Sequence, residues 1–138
     1  MFVAVAFLTH GVWEYLHLPL YTGYANLSGP LPILLFATLG DVGYSLAAVL
    51  FFALVKRDLD WFNGVRVSDY MALSIAGFCI ALLIEYKAIA LGRWAYTEAM
   101  PIVFGLGLSP LVQVTVLLPL CFYLARPRGI CGITTLFI

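Results

Sequence analysis

Residues 32–55 read PILLFATLGDVGYSLAAVLFFALV, and after the opening proline they hold one charge, Asp41. A helix that spans a bilayer needs roughly 20 mostly apolar residues, and this run meets that length. Three more runs follow the same reading: residues 2–18, which stop at Pro19, residues 69–91, and residues 101–124. The fold class read from them is all-α, an integral membrane bundle of four transmembrane helices forming a single domain over residues 1–138.

Composition agrees with that reading. Apolar residues make up 64% of the chain and charged residues 10%, where a soluble domain carries about 25% charged. Such a chain cannot cover a water-facing surface. The formal net charge is zero, so no basic footprint points to nucleic acid. Cys79, Cys121 and Cys131 are scattered, with no CxxC pair, and make no disulfide framework. No Lys or Arg precedes the first run and no small-residue cleavage site follows it, so it reads as a helix rather than a signal peptide.

The linkers set the orientation. Lys56, Arg57 and Arg66 lie between helices two and three, and Arg126 and Arg128 follow helix four, while the first linker, YTGYANLSGP, has no Lys or Arg. The positive-inside rule then puts both termini in the cytoplasm of a bacterial or archaeal inner membrane. Arg93, in the third linker, runs against the bias.

The polar residues that interrupt these runs fall toward one side, the outer half of the bilayer. Residues 10–21, HGVWEYLHLPLY, space His10, Glu14, His17 and Tyr21 along one helix face. Asp41 lies near the middle of helix two, with Tyr44 one turn later. Glu85 and Lys87 lie near the outer end of helix three, Arg93, Trp94 and Tyr96 just beyond it, and Gln113 near the middle of helix four. A charge at the bilayer centre costs at least about 2.5–3.5 kcal/mol. Glu14, Asp41 and Glu85 are therefore expected to share an interior cavity, where they pair with His17, Lys87 or Arg93 or hold protons.

Asp41, the deepest and without a charged neighbour in sequence, is the expected neutral acid. Glu14 and Glu85 are its expected acidic partners, and His17 the residue that orients or reprotonates it. Trp13, Tyr15, Tyr44, Trp94 and Tyr96 are the expected walls, with Arg93 and Gln113 as further binding residues. The alternative for the first helix is a metal held by His10, Glu14 and His17, since i, i+4 ligands on one face are a common arrangement; no other cofactor is predicted. The plain reading of the same polar residues is interhelical hydrogen bonding that fixes packing. GLGLSP at residues 105–110 reads either as a face for close helix contact or as a broken helix lining a cavity.

The stretch EYKAIALGRWAY, Glu85 to Tyr96, followed by GLGLSPLVQ, resembles the lycopene cyclase domain of the membrane carotenoid cyclases. That domain shows an acid late in a helix, a G-x-W-x-Y linker, and a next helix with a proline followed by two acidic residues. Here Pro110 is followed by Leu111, Val112 and Gln113. WEYLHLP and SPLVQVTVLLPL are similar, more faintly, to the EXPERA group that includes sterol isomerases. Both resemblances imply an acid that protonates a carbon–carbon double bond of an isoprenoid, with the cation held by carboxylates and aromatic faces.

Three functions follow from these readings. The first is a small membrane protein that binds an isoprenoid-type lipid (carotenoid, sterol or quinone) or modifies it by acid catalysis, as a cyclase, isomerase or hydratase would. The second is an accessory subunit of a larger respiratory or photosynthetic membrane complex, its polar residues bonded to partner subunits or to further copies of itself. The third is a proton-coupled transporter or channel with the carboxylates as a relay.

Overall fold

A computed structural model describes residues 1–22 and 31–126. Most of the first linker, and the tail with Arg128 and Cys131, lie outside the described residues. Four helices carry the fold: α1 (Phe2–His17), α2 (Leu31–Lys56), α3 (Val67–Ala90) and α4 (Leu108–Ala125). Helices α2, α3 and α4 are long and apolar enough to cross a membrane. Helix α1 has 16 residues and ends where Pro19 enters a 3-10 turn, Leu18–Leu20.

Local chemistry sets the helix ends. One carboxylate oxygen of Asp69 accepts the Arg66 backbone N–H at 2.9 Å, satisfying a donor that the first turn of α3 leaves free. Its other oxygen takes the Lys56 ammonium at 2.6 Å, which ties the end of α2 to the start of α3.

The fourth helix begins later than residue 101. Residues 102–107 form a hairpin instead, with β3 (Ile102–Val103) antiparallel to β4 (Leu106–Gly107). Phe104 and Gly105 are its two loop residues, with φ of 52° and 81°. Two successive positive φ angles make the primed turn whose twist matches paired strands, and Gly105 adopts its angle without a Cβ clash. A second short ladder pairs β1 (Tyr21–Thr22) with β2 (Ala95–Tyr96), Tyr21 opposite Tyr96. It fastens the exit of α1 to the linker that follows α3.

Helix α4 is the central element, packed on α3 to one side and α1 to the other, and α1 packs in turn on α2. Gly77 of α3 lets the α4 backbone approach at Val114. At the end of the bundle where α2 meets α3 in sequence, Trp61 stacks on Phe122 with ring centroids 4.5 Å apart, over Ala48, Leu73 and Leu118. Helices α2 and α3 touch each other only lightly, which leaves room between them at the opposite end. Leu54, Met71 and Leu83 are exposed on the outer faces. Lipid hydrocarbon would solvate such faces at no cost, whereas water would not.

Candidate functional site

The room between α2 and α3 is a cavity of about 590 Å³. Helix α1 brings Glu14 to it, α2 brings Gly40, Asp41 and Tyr44, α3 brings Glu85, and α4 brings Gln113; Arg93 and Trp94 reach it from the linker after α3. Ile33, Phe36, Ala37 and Ile84 complete an apolar wall. Three carboxyls from three helices thus line one space. The helical period of α1 turns Glu14 toward it; Tyr21, expected on the same helix face, lies instead in β1 beyond the end of α1, and its pairing with β2 brings it to the cavity.

Gln113 is the hub of the polar network and is buried. Its Nε2 donates to Glu14 Oε1 at 2.8 Å and to Asp41 Oδ2 at 2.7 Å. An amide nitrogen has two hydrogens, and these two short bonds use both. His10 Nδ1, at 3.3 Å from the same nitrogen, therefore accepts no third hydrogen from it. His10 Nε2 shares a hydrogen bond with the Ser45 hydroxyl at 3.2 Å, and Nδ1 faces Asp41 Oδ2 at 3.6 Å, beyond hydrogen-bond length. His10 and Ser45 are wholly buried, and their bond gives each of them a partner.

Glu85 has a different surrounding. Trp94 Nε1 donates to its Oε2 at 3.4 Å, and the Tyr96 hydroxyl donates to the same oxygen. Gly107 makes that second bond reachable: a Cβ there would lie 2.9 Å from Tyr96 Cε1, so only glycine lets β4 lie against the phenol ring. Burial, and then the bond to Glu85, push the Tyr96 phenol up to about 12. The expected partner, Lys87, is exposed on the outside of α3, two residues and about 200° around the helix from Glu85.

Other expectations also need correction. Tyr15 is 66% exposed on the outer face of α1 and walls nothing. It follows Glu14 by one residue, hence by about 100° of helix rotation, and cannot share its face. Trp13 lies along an outer groove with Leu8, Leu16 and Leu117, with its ring edge against His17, outside the cavity. His17 does not engage Glu14; its Nε2 bonds Ser109 at the start of α4. Tyr44 lines the cavity while remaining half exposed.

The metal alternative is not assembled. His10 turns to Ser45 and Gln113 while His17 turns to Ser109. Among the described residues no group of three or more His, Cys, Asp or Glu side chains is placed to hold an ion. Sequence reading missed Ser45 and Ser109 as the histidine partners; both are small hydroxyl residues with no pattern of their own, and only helix packing brings them there. No protein-family model, curated protein or solved structure matches the chain.

Proposed function

We propose that the chain is a membrane protein with all four helices in the bilayer, both termini cytoplasmic, and that it binds an isoprenoid-type lipid in the cavity between α2 and α3 and acts on it as an acid. One observation carries the reading: Glu14, Asp41 and Glu85 line a single cavity whose remaining walls, apart from Gln113 and Arg93, are apolar and aromatic. Its volume, about 590 Å³, lies within the roughly 300–1,000 Å³ of small-ligand sites. The light contact between α2 and α3 offers a side entrance from the lipid.

The chemistry is that of a carboxylic acid against an alkene. A carboxyl of the Glu14–Asp41 pair gives its proton to one alkene carbon, and the π electrons form the new C–H bond. The adjacent carbon is left as a cation, faced by carboxylate and by the rings of Tyr44 and Trp94. Loss of a proton from a neighbouring carbon to the carboxylate restores a double bond in a shifted position. No oxidant or reductant is required.

An accessory subunit would turn its polar residues outward to its partners. Here His10, Glu85 and Gln113 are buried, which supports the enzyme reading. A relay would need polar groups through the whole thickness, whereas the bundle beyond His10 and Ser45 is closed by Ala48, Leu73, Leu118 and the Trp61–Phe122 stack.

The test is mass spectrometry of lipids that co-purify with the protein and with Gly40→Leu. Gly40 lines the cavity, and a Cβ placed there meets nothing within 4 Å. Leucine therefore fills the cavity without a backbone clash and favours the helix over glycine. The expected result is an isoprenoid lipid on the parent protein, reduced at least tenfold in Gly40→Leu. Equal lipid on both proteins would remove the cavity from consideration.

A further inference from the structure

Glu14 and Asp41 stand in an unusual relation. Their carboxyl oxygens bond to one nitrogen, Gln113 Nε2, so the two oxygens are separated by no more than the sum of two hydrogen bonds. No Lys or Arg forms an ion pair with either carboxyl among the described residues. The charged and titratable groups that surround them come from every packed element. Helix α1 supplies His10 and His17, β1 supplies Tyr21, α2 supplies Tyr44, α3 supplies Glu85, and the linker supplies Arg93 and Tyr96; α4 contributes only the neutral Gln113 and Ser109. His17 is committed to Ser109, and His10 reaches only Asp41, at 3.6 Å.

We propose that Glu14 and Asp41 hold one proton between them, positioned by the two hydrogens of Gln113, and that this shared proton is the acid of the cavity. Two carboxylates this close in a low-dielectric interior repel strongly, and the arrangement that relieves the repulsion is a single proton for the pair. Gln113 fits the task because its amide donates equally to a carboxylate and to the carbonyl oxygen of a neutral carboxyl, so it holds both residues wherever the proton sits. A Glu at this position would add a third acid, and a Lys would strip the proton away.

The inference rests on the proposed acid chemistry and narrows its reaction class. Once the pair has given its proton to one alkene carbon, it is a doubly charged base in the same place. That base takes the proton from the neighbouring carbon, whose C–H electrons become the new double bond, and the pair returns to its starting state. Donor and acceptor are then one unit, so the reaction favoured is migration of a double bond, with nothing gained or lost overall. Gln113 is a positioning residue in this scheme, and Glu14 and Asp41 are the catalytic pair.

The test is infrared spectroscopy of the whole protein in lipid vesicles, which reads protonated carboxyls directly and needs no ligand. The parent protein should show a protonated carboxyl band near neutral pH. Glu14→Gln and Asp41→Asn should each shift or abolish the same band, because the proton belongs to both carboxyls, while Glu85→Gln should leave it unchanged. A band left unchanged by either of the first two variants means the other carboxyl holds the proton alone, and overturns the proposal. Gln113→Leu keeps both acids and should shift the band without abolishing it; this readout stands even if neither acid variant accumulates, and an unshifted band overturns the role of Gln113. Failure here would leave lipid binding untouched, and loss of lipid binding would leave the band in place.

Discussion

Gly77 and Val114 hold α3 and α4 at backbone contact: a Cβ on Gly77 would come 2.4 Å from the Val114 carbonyl oxygen. Neither backbone can yield without separating the helices that carry Glu85 and Gln113. Gly77→Ala should therefore cost about 1–3 kcal/mol by overpacking, despite alanine's better helix propensity. Thermal unfolding in detergent should show the loss; a variant as stable as the parent would mean that the two helices can slide apart freely.

Tyr96→Phe removes the hydroxyl bonded to Glu85 and should cost about 1.5–3 kcal/mol, the range for a hydrogen bond to a charged group, or less if Glu85 is neutral. The phenol itself gives a pH signature. It titrates near 12 in the folded protein against an ordinary value near 10. The folded state then binds its proton more tightly, so its contribution is complete below pH about 10 and is lost as pH rises through about 12. An ultraviolet phenolate titration of the parent minus Tyr96→Phe should show one tyrosine ionising above the rest. A difference centred near pH 10 would contradict the buried bond.

Trp61→Ala removes the ring stacked on Phe122 at the far end of the bundle. The expected cost is about 3–5 kcal/mol. The cavity lies at the other end, so the lipid carried per folded molecule should not change. Lipid loss in proportion to stability loss would tie the two ends together and contradict their independence.

The orientation can be read with cysteines placed at two exposed positions, Asn63 and Glu98, in a protein whose own three cysteines are replaced by alanine. With both termini cytoplasmic, Glu98→Cys should react with an impermeant thiol reagent applied to intact cells, and Asn63→Cys only after the membrane is broken. The opposite pattern would invert the bundle and place the cavity in the cytoplasmic half.

The long apolar runs, the stop at Pro19 and the inward turn of His10 and Glu14 were legible in the sequence. Each depends on chain-local physics: helix period, helix length against bilayer thickness, and the penalty for a charge in hydrocarbon. Tyr15 was expected as a cavity wall, against the same helix period, which separates it from Glu14 by one residue of rotation and turns it outward.

Which partner each polar group takes was decided only by the tertiary structure. His17 meets Ser109, 92 positions away in the chain, and Glu85 meets Tyr96 rather than the nearby Lys87. A hydrogen bond needs its two atoms within about 3 Å, and sequence spacing sets that distance only inside one helix. The hairpin at residues 102–107 has the same origin. Phe104-Gly105 permits a primed turn, but the chain takes it because Gly107 can lie against Tyr96, a contact that exists only once α3, α4 and the linker between them are packed.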